Sequence, residues 1–203
     1  LTIPSVLRRI FAEAGLPMED RLDLRRLDPQ WRCFFEDGSS LDLIENVEAM
    51  AERIGQYSNT PEDAKGYRRF LTVSQSLNDT SQNLFIWRPV GGLWDIMDSS
   101  QMLNLNGLKN FMAIRPGKTV SNTVRNHIKD QRVAQMLDHF VQYVGSNPEQ
   151  SPAVLCGIAH MQTDEGVWYP MGGIRAVPVA LRKLAEELGV KFITGSKVVR
   201  LTT

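Results

Sequence analysis

Apolar positions along the chain fall mostly on helical spacing. Val133, Met136, Leu137, Phe140, Val141 and Val144 recur at i, i+3, i+4, i+7, i+8 and i+11, the stripe of a helix buried on one side. Asp130 is placed to cap it, and Gly145-Ser146-Asn147-Pro148 ends it. Val6, Leu7, Ile10 and Phe11 mark one face of a shorter helix, with Pro4 in its first turn and Gly15 as its stop. Thr60-Pro61-Glu62-Asp63 puts a hydroxyl at an N-cap, proline at the first helical position and acids against the positive end of the helix dipole. The helix opened there is predicted to run through Tyr67, Phe70, Leu71, Ser74 and Leu77 toward Leu84. Asn46 caps a further helix through Val47, Met50, Ala51 and Ile54, and Thr119 or Ser121 caps one bearing Val124 and Ile128. Residues 153–161 form an apolar stretch whose length favours helix over buried strand.

Period-two alternation is rarer. Leu41 and Leu43 flank Asp42 just after Glu36-Asp37-Gly38-Ser39, which predicts a hairpin with strands at about 30–36 and 40–44. Mixed segments around residues 93–97 and 103–114 lie between Pro89 and Pro116-Gly117. Near the end, Glu165 through Gly173 reads as a strand followed by a glycine pair, then an amphipathic helix of about four turns over residues 174–188, then an apolar strand after Gly189. Adjacent glycines at the mouth of a helix serve either a turn that needs positive φ or the close approach of another group to the backbone. Pro178 falls in the second turn of that helix, so it kinks the helix or delays its start. The pattern is α+β: a helix-rich region with a small antiparallel sheet, then a strand–Gly-Gly–helix–strand piece. No internal repeat interrupts it.

Composition narrows the function classes. With 203 residues and 42% apolar content, the chain buries a real core as one large domain or one and a half. Lys plus Arg and Asp plus Glu are both 23, so no global field draws nucleic acid or coats an anionic membrane. Cys33 and Cys156 lie far apart without CxxC or metal-ligand spacing to His127, His139 or His160, so both read as inert buried thiols and no metal site is expected. No run of 18 apolar residues and no charged-then-apolar leader occurs, which places the expectation in the cytoplasm. Leu1 at the start and Leu201-Thr202-Thr203 directly after a predicted strand read as a piece of a longer protein.

Candidate chemistry is sparse. No G-x-S-x-G elbow, P-loop or G-x-G-x-x-G occurs, so neither a serine nucleophile nor a dinucleotide cradle is written here. His127 and His139 read as solvated or capping helix residues, and His160, on an apolar run, as a core histidine or a pocket wall. The pair Asp164-Glu165 reads as a solvated turn. Met97, Met102, Met112, Met136, Met161 and Met171, with Trp87, Trp94 and Trp168, offer soft or flat apolar surfaces suited to a flexible hydrocarbon, beside their ordinary use as core. No catalytic residue stands out.

The order Leu1-Thr2-Ile3-Pro4-Ser5-Val6-Leu7, Leu27-Asp28-Pro29 and Phe35-Glu36-Asp37-Gly38-Ser39-Ser40-Leu41-Asp42-Leu43 resembles the phytoene desaturase family. The later half agrees through Tyr143-Val144-Gly145-Ser146-Asn147-Pro148, Gly166-Val167-Trp168-Tyr169-Pro170-Met171-Gly172-Gly173 and Leu184-Ala185-Glu186-Glu187-Leu188-Gly189-Val190. The likeness thins between about residues 55 and 125. Together these motifs are specific to carotenoid desaturases and related flavin oxidoreductases, though no single one is. The resemblance implies a two-domain FAD enzyme that oxidises a long isoprenoid hydrocarbon such as a carotenoid, with residues 1–161 as a substrate-binding domain whose N-terminal edge touches the FAD domain. Residues 162–203 would return the chain to an FAD-binding domain otherwise absent here. It further implies FAD contacts at Gly172, Gly173 and Val198, the last between Lys197 and Val199, and a substrate cavity near Trp168, Tyr169 and Met171 with His160. A substrate drawn from a bilayer makes a peripheral membrane contact a further expectation. Carotenoid isomerases, ketolases, amine oxidases and the non-enzymatic GDP-dissociation inhibitors share this fold group and remain alternatives.

Overall fold

The computed structural model describes residues 1–82 and 115–201. In chain order the elements are α1 (Pro4–Glu13), β1 (Leu24–Arg26), β2 (Trp31–Phe34), β3 (Ser40–Leu43), α2 (Val47–Tyr57), α3 (Pro61–Ser81), α4 (Val120–Arg125), α5 (Gln131–Asp138), α6 (Gly157–Glu165), β4 (Trp168–Pro170) and α7 (Ala176–Glu187). Among the described residues, the 3₁₀ segments Met18–Asp20, His139–Val144 and Ala153–Cys156 join them. The expected α+β class holds. The segments expected around residues 93–97 and 103–114, the end of the helix near Leu84, and Met97, Met102, Met112, Trp87 and Trp94 lie outside the described residues.

Two compact units emerge: Asp28–Gly166, and Leu1–Leu27 together with Val167–Thr203. The expected division fell between residues 161 and 162, whereas the compact units place residues 1–27 with the C-terminal segment.

In the unit Asp28–Gly166, α3 packs along α2 and α6. Leu41 and Leu43 of β3 alternate inward past Asp42 and join Met50, Ile54, Tyr67, Phe70, Leu77, Val133 and Leu137 in one core. Burial of each large side chain contributes about 1.5–3 kcal/mol. The predicted hairpin forms with the register Trp31↔Leu43, Arg32↔Asp42, Cys33↔Leu41 and Phe34↔Ser40. Caps fall largely where the sequence put them: Asn46 accepts from the Ala49 N–H, Thr119 from Asn122, and Asp130 from Arg132 and Val133.

Four local expectations change. The Thr60 hydroxyl does not cap α3; it donates to the Glu62 carboxylate at 3.0 Å, and proline at the first helical position supplies the start. The long apolar series from Val133 is α-helical only to Asp138 and tightens to 3₁₀ over His139–Val144, ending at Gly145 with φ 63°. Residues 153–161 likewise open as 3₁₀ before α6 begins at Gly157, where an added Cβ would lie 2.9 Å from the Asn78 nitrogen of α3. The apolar stretch after Gly189 forms no strand: residues 190–201 meet no ladder partner among the described residues, and an isolated strand leaves its backbone groups unsatisfied.

The second unit is smaller. Phe11 of α1, Met18 and Leu22 close over Ala180 and Leu184 of α7, and Arg21 pairs with Glu187 across the same seam. Its sheet, β1 against β4, was not anticipated. Leu24-Arg25-Arg26 is too short and too charged to show a period.

Candidate functional site

The resemblance concentrates on β4, the glycine pair and α7. Antiparallel pairing sets Leu24 opposite Pro170, Arg25 opposite Tyr169 and Arg26 opposite Trp168. On the other edge of β4, Leu1 and Trp168 exchange both backbone hydrogen bonds, at 2.9 and 2.8 Å. Met171 N–H donates to Asp23 and Leu27 N–H to Val167, so this three-residue strand is held over its whole length.

Strand alternation then sorts its side chains. Pro170 is buried and Trp168 half-buried, whereas Tyr169 and Met171 are 48% and 49% exposed. The Trp168 ring lies under two guanidinium groups, Arg8 at 5.6 Å and Arg26 at 5.8 Å from the centroid, which fixes its orientation by cation–π attraction. Arg8 is itself held by Glu19 at 2.7 Å. That partner draws the Glu19 carboxyl below the usual carboxylate range.

Gly172 and Gly173 both have φ 87°, a conformation L side chains rarely adopt, and the Gly173 N–H closes the turn on the Pro170 carbonyl at 2.9 Å. A Cβ at either position would meet no atom of the described residues within 4 Å. Backbone conformation, rather than crowding by the described residues, therefore demands glycine here. α7 starts at Ala176, so Pro178 falls in its first turn, where the missing N–H costs little; the delayed start expected from that proline is what occurs. At the other end Val190 N–H donates to Ala185 and Gly189 N–H to Glu186, a Schellman closure. Beyond it Val198 is 76% exposed, as are its neighbours Ile193 and Val199 to a similar or greater degree.

These residues, Trp168, Tyr169, Met171, Gly172, Gly173 and Val198, belong to one compact unit. His160 belongs to the other. It sits on α6, where its backbone N–H donates to the Ser74 hydroxyl at 2.7 Å, and it lines a cleft of about 350 Å³ with Val47, Arg68, Leu71, Gln75 and Asp164.

Sequence reasoning missed a second concavity. A groove of about 620 Å³ runs between β2 and α5, lined by Trp31, Cys33, Phe35, Arg132, Met136 and His139. His139 is no solvated helix residue: its ring meets Trp31 edge-on at 3.9 Å between centroids, and Nε2 is buried with no hydrogen-bond partner among the described residues. Burial lowers its pKa from the ordinary histidine value, and burial with Arg115 and Arg69 nearby does the same for His127. Both imidazoles resist protonation in the fold, so stability is full above the ordinary histidine pKa and is lost as pH falls from that value through the lowered pKa of the folded state. The melting temperature is therefore expected to fall between about pH 7.5 and about pH 5, and His139→Phe, which keeps the ring against Trp31, is expected to flatten that slope. An identical slope in the variant would contradict this role.

Of the two thiols expected to be buried, Cys156 is, whereas Cys33 is half-buried on the wall of that groove. Burial pushes the Cys156 thiol up to about 12 and raises Cys33 as well, so neither is a ready nucleophile. Among the described residues no three His, Cys, Asp or Glu side chains converge to hold a metal ion, and no helix is long and apolar enough to cross a membrane.

The family described as flavin containing amine oxidoreductase matches residues 4–203, and this chain belongs to that family. Among its relatives are the 4,4'-diapolycopene oxygenase of Methylomonas sp, 30% identical over 98% of this chain and 38% of the relative, and the carotenoid 3,4-desaturase of Haloarcula japonica, 30% identical over 97% and 38%. The 4,4'-diaponeurosporene oxygenase of Staphylococcus aureus is 30% identical over 100% of this chain and 39% of its own length. The resemblance to carotenoid desaturases read from the motifs is borne out. The chain spans less than two-fifths of these relatives.

Proposed function

We propose that this chain is the central part of a flavin-dependent oxidoreductase that acts on a long isoprenoid hydrocarbon of the carotenoid class. The observation that carries the reading is the β4–Gly172–Gly173–α7 segment in a chain similar, nearly end to end, to enzymes named for carotenoid desaturation and oxygenation. The unit Asp28–Gly166 would supply substrate-binding helices, and the unit of Leu1–Leu27 with Val167–Thr203 would adjoin the FAD-binding domain.

The residues present fit one part of an FAD site. Gly172 and Gly173 leave their backbone open to a ligand, and the segment around Val198 has backbone groups with no strand partner among the described residues, both suited to a dinucleotide. A pyrophosphate cradle of the G-x-G-x-x-G kind is absent from these 203 residues. When bound, the flavin supplies a hydride acceptor for oxidation of a substrate C–H bond. The protein's own share is binding and orientation. Tyr169 and Met171 offer an apolar face, Trp168 is pinned by Arg8 and Arg26, and roughly 25 cal/mol per Å² of apolar contact suffices to hold a polyene. His160 in its cleft serves this reading as a lining residue only. Delivery of so apolar a substrate fits a peripheral contact with a membrane.

The isolated 203-residue chain is expected to purify colourless, because a G-x-G-x-x-G pyrophosphate cradle is not among its residues. A flavin absorbance spectrum in that sample would overturn the division of the site proposed here. A protein extended upstream through a G-x-G-x-x-G segment is expected to purify yellow; if such a protein exists without that motif and without flavin, a prenyl-binding protein becomes the better reading.

A further inference from the structure

We draw no further inference here: the strongest candidate, the groove between β2 and α5 lined by Trp31, Met136 and His139, carries nothing because nothing in the structure shows what covers it.

Discussion

Replacing Gly66 with alanine is expected to lower the melting temperature by about 10 °C, equivalent to about 3 kcal/mol at the upper end of overpacking costs. In an exposed helix the same change would stabilise by roughly 0.5–1 kcal/mol, because alanine favours the helical backbone. Here α3 runs against the turn that leads into α5, and a Cβ at Gly66 would collide with the His127 carbonyl oxygen and lie 2.9 Å from its carbon. Backbone on both sides must shift to relieve that contact. Both signs are thus on offer, and the distance decides between them. Lys65→Ala, one residue earlier on the exposed side of α3, is the control and should leave the melting temperature within a few degrees. If Gly66→Ala melts at or above the parent chain, the close approach of α3 to that turn is wrong.

Asp63→Ala is expected to cost about 2–5 kcal/mol through the same junction. Asp63 is fully buried, and its two carboxylate oxygens accept from the backbone N–H groups of Lys129 at 2.7 Å and Asp130 at 2.9 Å. Alanine would leave both donors unsatisfied just where Asp130 turns to cap α5. Asp63→Asn keeps one amide oxygen as acceptor and turns an NH₂ toward the second donor, so an intermediate loss is expected. Hydrogen exchange gives the local readout: the Lys129 and Asp130 amides should lose protection in Asp63→Ala beyond what global destabilisation explains. Unchanged protection at those two amides, with a fold of unchanged stability, would contradict the assignment. Because Asp63 and Gly66 lie one turn apart on α3 and hold the same turn, the double variant should cost less than the sum of the two singles.

That junction also shows what the sequence made legible and what it concealed. Helical stripes revealed α1, α2, α3 and α5 because each buries one face on its own unit's core, and a period of 3.6 records this directly. Asp63 was visible only as an acid in a helix's first turn. Its two acceptors bond to residues 66 and 67 positions away, and no local pattern encodes such a partner. Gly66, inside a strong helical pattern, was the available signal, since a glycine there costs about 1 kcal/mol relative to alanine and a close backbone approach is one reason to carry it. β1 stayed hidden for a related reason: Leu24-Arg25-Arg26 is a strand only because β4 lies beside it.

The candidate site was legible in outline. Motif order located the glycine pair, and α7 with its late start at Ala176 followed from Pro178. The strand expected after Gly189 failed for a physical reason, because a ladder needs a neighbour and residues 190–201 have none among those described. Without such a neighbour among the described residues, Ile193, Val198 and Val199 stay exposed. His139 and Trp31, by contrast, are brought together from opposite ends of one unit, which neither residue's surroundings in sequence announce.

The central claim, oxidation of a carotenoid-class hydrocarbon by a flavin enzyme of which this chain is the middle, is tested most directly by turnover. The full-length protein, loaded with FAD, would be incubated with phytoene in liposomes and the extracted products analysed for added double bonds or new oxygen functions, with simple amines offered in parallel. Oxidised isoprenoid products and untouched amines are the predicted result. Untouched isoprenoids with oxidised amines would contradict the account.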